Sequence, residues 1–113
     1  MHLIRSLKKS RYGDRDVQIT IPNLTDTDKT PVLVDDIIST GITFLTVTKQ
    51  LLAKNYKPPI CIGVHALFNS EAKKLLLDVG VKEIISCNTI LHESNQIDLT
   101  ELISASILAE LRK

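Results

Sequence analysis

Val32-Leu-Val-Asp-Asp-Ile-Ile-Ser-Thr-Gly-Ile-Thr43 constrains this chain more than any other stretch. An uninterrupted apolar run, Val32-Leu33-Val34, suits a parallel strand covered on both faces. Two carboxylates, Asp35 and Asp36, stand at its carboxyl end, and hydroxyls and a glycine then lead into Thr43 to Lys54. That last segment repeats apolar residues at Phe44, Val47 and Leu51 and at Leu45 and Leu52, the broad stripe of a buried-faced helix.

The pattern repeats downstream. Ile60 to Ala66 reads as a second buried strand, Asn69 or Ser70 as the cap of a helix carrying Ala72, Leu75 and Leu76 that stops near Gly80, and Lys82 to Cys87 as a third strand. Asp98-Leu-Thr-Glu101 has capping-box spacing at the head of a last helix reaching about Arg112. Alternation of strand and helix implies right-handed crossovers and a three-stranded parallel sheet, an α/β architecture with flanking helices. Upstream, Val17, Ile19 and Ile21 alternate with Asp16, Gln18 and Thr20 as in a half-exposed strand. Leu3 to Lys9 is the expected other arm of a β-hairpin, with Ser10 to Asp14 as its loop, and Asn23 to Thr30 reads as a surface loop.

Ligands of open α/β sheets bind outside the carboxyl ends of the strands, where the Asp pair and the Ser-Thr-Gly loop fall. Gly41 lets the loop turn tightly, and its amides with the positive end of the following helix make an anion site of the size of one phosphate. Ser39, Thr40 and Thr43 add hydroxyl donors. Asp35 and Asp36 cannot hold that phosphate, because like charges repel; carboxylates accept hydrogen bonds from hydroxyls or hold a metal ion. A pentose 5-phosphate satisfies both halves. The magnesium-holding strand of a P-loop nucleoside triphosphatase is set aside, since no Gly-x-x-x-x-Gly-Lys-Ser/Thr loop is present.

Length and charge limit the rest. A chain of 113 residues has room for at most one small domain. Fourteen Lys plus Arg against thirteen Asp plus Glu give +1, which offers nothing to nucleic acid or to an anionic membrane. Yet Arg5, Lys8, Lys9, Arg11 and Arg15 gather at the start against Asp14, a basic arm fit for a polyanionic ligand. Cys61 and Cys87 lie in apolar stretches without metal spacing, as buried thiols in a reducing cytoplasm do. No apolar run is long enough for a membrane span.

The strand-loop-helix sequence resembles the phosphoribosyl pyrophosphate (PRPP) binding motif of the type I phosphoribosyltransferase fold. The motif alone leaves open the phosphoribosyltransferases and ribose-phosphate pyrophosphokinase. Lys9-Ser-Arg-Tyr-Gly-Asp-Arg-Asp-Val-Gln-Ile19, Cys61-Ile-Gly-Val-His-Ala-Leu-Phe68 and Ser86-Cys-Asn-Thr-Ile90 resemble the C-terminal part of the pyrophosphokinase family. That resemblance implies transfer of the β,γ-pyrophosphoryl group of ATP to ribose 5-phosphate with Mg²⁺, giving PRPP and AMP for nucleotide synthesis.

By position it implies that Lys9 and Arg11 match a mobile catalytic loop, that Asp35 holds ribose hydroxyls with Asp36 beside it, and that Ser39, Thr40, Gly41, Ile42 and Thr43 take the 5-phosphate. Ile42 stands where that loop often has a small residue. His65 is expected as a hydrogen-bonded core residue, while Asn88 and Thr89 end a strand at the ligand edge; His2 and His92 have no evident partner.

The resemblance also implies that Mg²⁺ and ATP are bound mainly by an N-terminal half. The chain is therefore expected to be a partial domain, with residues 1–22 as the hairpin and catalytic loop and 31–113 as the α/β part. It is expected to associate with itself or with such a half. Two alternatives are a non-catalytic regulatory module of a complete synthetase and a phosphoribosyltransferase, which should carry a base-binding segment.

Overall fold

The computed structural model describes the backbone of residues 8–11 and 17–20 and the whole of residues 27–113. Strands β1 (Lys8–Arg11) and β2 (Val17–Thr20) form the antiparallel hairpin, paired from Lys8 opposite Thr20 to Arg11 opposite Val17. Ser10 and Arg11, expected in the loop, thus belong to the strand. The outer part of the expected arm, residues 3–7, and residues 12–16, 21–26 and His2 lie outside the described residues. β2 runs beside the first helix.

The main sheet has four parallel strands in the order β3 (Val32–Ile38), β4 (Ile60–Ala66), β5 (Glu83–Cys87), β6 (Asn95–Ile97). Helix α1 (Ile42–Ala53) connects the first two strands and α2 (Ser70–Val79) the next two. Both crossovers step the same way across the sheet, so right-handed connections place both helices on one face. There Ile38, Phe44, Cys61, Ala66, Phe68, Ala72, Leu76, Val81 and Ile84 form the core.

Helix ends follow local chemistry. Asn69 Oδ1 accepts the Ala72 N–H at 2.9 Å and starts α2. Gly80, at φ +119°, stops it, its N–H going to Leu77 and that of Val81 to Leu76. Asn55, at φ +67°, performs the same turn after α1. The last helix, α3 (Thr100–Leu111), starts just past Asp98, whose Oδ1 accepts the Thr100 N–H at 2.8 Å.

Two expectations are corrected. Val32 and Val34 are not covered on both faces: Val34 is 69% exposed, because both crossover helices lie on the opposite face. The sheet also has a fourth strand. β6 carries no apolar repeat and is fastened through side chains: Asn95 Nδ2 donates to Ser86 Oγ and to the Cys87 carbonyl, both at 2.9 Å. Ser94 Oγ lies 2.7 Å from Ser86 Oγ and 2.8 Å from His92 Nδ1. The Ser94 N–H donates to His92 Nδ1 at 3.1 Å, which puts the ring proton on Nε2, 2.9 Å from the Phe68 carbonyl it bonds. His92 is thus a structural residue. None of the twelve residues of α3 is buried, although it carries Leu102, Ile103, Ile107, Leu108 and Leu111.

Candidate functional site

The two aspartates sit on β3 and the hydroxyl loop follows without interruption. Asp35 Oδ1 accepts the Asp36 N–H and Asp36 Oδ1 accepts the Ile37 N–H, both at 2.8 Å, so each carboxylate spends one oxygen on the next amide. The Asp36 carboxyl is held below the usual aspartate range, first by its hydrogen bond with the Asp35 side chain and then by the Ile37 amide. Asp36 is thereby kept as an ionised acceptor at neutral pH.

Gly41 sits at φ +79° before α1, as the sequence requires of a tight turn. A Cβ there would lie 3.2 Å from Leu76 Cδ1, so α2 backs the loop closely. The Gly41 carbonyl takes the Leu45 N–H at 2.8 Å, which begins the helix at Ile42, one residue before the expected Thr43. α1 has no side-chain cap and no acidic residue in its first turn, and Thr40 Oγ1 reaches the Ile42 N–H only at 3.4 Å. The positive end of the helix therefore faces the loop with no carboxylate of its own to oppose an anion. Ser39 and Thr40 are exposed; Ile42 and Thr43 are half-buried.

Alternation between the two faces slips by one residue at a single level of the sheet. On β3, Leu33, Asp35 and Ile38 turn toward the helices; on β4, Cys61, Gly63 and Ala66 do so. Asp35 pairs with Gly63 and Ile38 with Ala66, so the slip occurs on both strands together, between Asp36-Ile37 and Val64-His65. Ile38, 1% exposed, reaches back over Gly63, where a Cβ would meet its Cγ1 at 2.3 Å. Asp36, Ile37, Val64 and His65 are left on the open side.

This placement corrects the expectation for His65. It is hydrogen-bonded, Nδ1 lying 2.7 Å from Thr89 Oγ1, but it stands at the strand-end rim rather than in the core. Thr89 donates to the Val64 carbonyl at 3.1 Å, while Asn88 ties the rim to α3 through Asp98 and the Leu99 amide, both at 2.9 Å. Carboxyl-terminal strand position was the available signal for His65.

Asp35, Asp36 and residues 39–43 are thus brought together, with His65 and Thr89 alongside. Positions 9 and 11 lie on β1, and the side chains of Lys9 and Arg11 fall outside the described residues. Cys61 and Cys87 are buried free thiols, as expected. Among the described residues no group of three or more His, Cys, Asp or Glu gathers to hold a metal, and no helix is long and apolar enough to cross a membrane.

A parallel sheet with a strand-end carboxylate pair and a glycine-turned loop at a helix N-terminus defines a phosphoribosyltransferase-type α/β unit. The family model for the phosphoribosyl transferase domain matches residues 5–102, and the chain belongs to that family. Within it, the chain is similar to proteins named ribose-phosphate pyrophosphokinase. That of Sulfolobus acidocaldarius is 36% identical over 97 residues, 85% of this chain and 33% of that protein. That of Sulfurisphaera tokodaii is 34% identical over 101 residues, 88% and 35%. Ribose-phosphate pyrophosphokinase 2 of Archaeoglobus fulgidus is 32% identical over 101 residues, 89% and 37%. The chain spans about a third of the length of these curated relatives.

Proposed function

We propose that the chain is the C-terminal, pentose-phosphate-holding portion of a ribose-phosphate pyrophosphokinase of the cytoplasm, an enzyme that forms PRPP and AMP from ATP and ribose 5-phosphate. The observation that carries this reading is the continuous run from the Asp35–Asp36 pair to the Gly41 loop at the start of α1. Carboxylates at one end accept from sugar hydroxyls, while Ser39, Thr40, Gly41, Ile42 and Thr43 surround the 5-phosphate with amides and hydroxyls at the positive helix end. The names of the relatives support the same family of reactions.

Lys9 and Arg11 enter as the catalytic cations. As the C1 hydroxyl oxygen of the pentose bonds to the β-phosphorus and gives up its proton to water, the bond from that phosphorus to the α-phosphate's bridging oxygen breaks and AMP leaves with the negative charge. Two cations carried on the hairpin stabilise that charge. A pair of carboxylates suits Mg²⁺, which keeps most of its waters and binds through one or two carboxylates plus substrate phosphates. When bound, the ion neutralises phosphate charge. The uncovered sheet face and α3 support association with a second copy or with the remaining part of such an enzyme.

The test is formation of AMP and PRPP from ATP, Mg²⁺ and ribose 5-phosphate, by this chain alone and with a separately produced N-terminal half of a pyrophosphokinase. Turnover only in the mixture is expected. Turnover by the chain alone, or none in a mixture whose complex has been demonstrated, contradicts the reading.

A further inference from the structure

The Thr89 hydroxyl has one hydrogen and two neighbours, the Val64 carbonyl at 3.1 Å, which can only accept, and His65 Nδ1 at 2.7 Å. Both hydrogen bonds are made together only when Thr89 donates to the carbonyl and the Nδ1–H of His65 donates to the Thr89 oxygen. In the neutral ring this leaves a lone pair on Nε2, and among the described residues Nε2 meets no hydrogen-bond partner. The slip in strand alternation leaves His65 on the open side with Asp36, on the adjacent strand opposite Ile37, one residue beyond Asp36.

Ligand chemistry gives that lone pair a use. A pentose 5-phosphate in its ring form brings three hydroxyl groups, and each needs an acceptor or water. The two carboxylates already give an oxygen each to a backbone amide. A neutral imidazole accepts a further hydroxyl without adding negative charge beside a phosphate site.

We propose that His65 Nε2 is an additional acceptor for a sugar hydroxyl of the ligand held by Asp35 and Asp36, and that Thr89 is the positioning residue that sets the ring's tautomer. The inference rests on reading this edge as a pentose-phosphate site.

Calorimetric titration of the chain with ribose 5-phosphate, and separately with inorganic phosphate, tests it through variants chosen by atom position. His65→Asn keeps an amide at the place of Nδ1, opposite Thr89, and removes Nε2; ribose 5-phosphate affinity should fall roughly three- to tenfold, with phosphate affinity unchanged. His65→Gln returns an amide group to the place of Nε2 and should recover most of the loss. Thr89→Val should weaken binding and Thr89→Ser restore it. Nitrogen-15 spectra of the free wild-type protein should show His65 as the Nδ1–H tautomer.

Ribose 5-phosphate binding unchanged in His65→Asn but lost in Asp35→Ala would overturn the role of His65 and leave the site standing. Failure of the wild-type chain to bind ribose 5-phosphate at all would overturn both. An Nε2–H tautomer would overturn the role given to Thr89 and the acceptor on which His65 depends.

Discussion

Gly63→Ala probes the slip that turns His65 and Asp36 outward. The added Cβ would lie 2.3 Å from Ile38 Cγ1 and 2.5 Å from Cδ1, more than an ångström inside ordinary carbon contact of about 3.5–4.0 Å. Ile38 is 1% exposed and hemmed in by the core, so it has no solvent to swing into. Overpacking of this kind costs about 1–3 kcal/mol, and a clash with two atoms of a buried side chain belongs at the upper end. Ile38→Ala alone opens a cavity and costs about 2–5 kcal/mol. It also removes both offending atoms, leaving the Ile38 Cβ at 3.5 Å from the new methyl, an ordinary contact. The double variant should therefore cost about as much as Ile38→Ala, with a coupling of about 1–3 kcal/mol favouring the pair. Urea unfolding followed by circular dichroism gives the four free energies of the cycle. Additive costs, or a harmless Gly63→Ala, would refute the stated packing of Ile38 over Gly63.

Gly41→Ala forces a side chain into the left-handed region at φ +79° and to 3.2 Å from Leu76, so stability should fall by about 1–2 kcal/mol, with weaker phosphate binding; unchanged urea midpoints would contradict this. The Asp98 carboxyl is held below its usual range by the Thr100 side chain, the Thr100 amide and Asn88. A depressed folded-state value means stability present above the unfolded value and lost as pH falls through the folded one. The acid limb of pH-dependent stability should accordingly flatten in Asp98→Ala, and an unaltered limb would remove Asp98 from the account. Burial pushes the Cys61 thiol up to about 12, so iodoacetamide at pH 8 should modify it far more slowly in the fold than in urea; equal rates would place Cys61 at the surface.

Much of the molecule was legible in its residues because the relevant signals are local. Asn69 and Gly80 bracket α2 through bonds within a few residues of each, and the run from Val32 to Thr43 specifies strand, turn and helix in order. β6 escaped because Asn95-Gln96-Ile97 has no apolar period; what fixes it is a set of side-chain bonds to Ser86 and Cys87, eight or nine residues earlier in the chain. His65 was misplaced for a related reason. Ile60 to Ala66 reads as uniformly buried, and only the paired slip against β3 sends one half-buried histidine outward. Val34 was expected to be covered because the run itself is apolar, whereas coverage depends on which way the crossovers step.

The central claim is that the Asp35–Asp36 strand end and the Gly41 loop together hold a pentose 5-phosphate. Its most direct test is calorimetric titration of wild-type and Asp35→Ala chains with ribose 5-phosphate and with inorganic phosphate. The account predicts ribose 5-phosphate bound more tightly than phosphate by the wild type, with that advantage lost and phosphate binding retained in Asp35→Ala. Equal affinity for the two ligands in the wild type, or an advantage undiminished by the substitution, would contradict it.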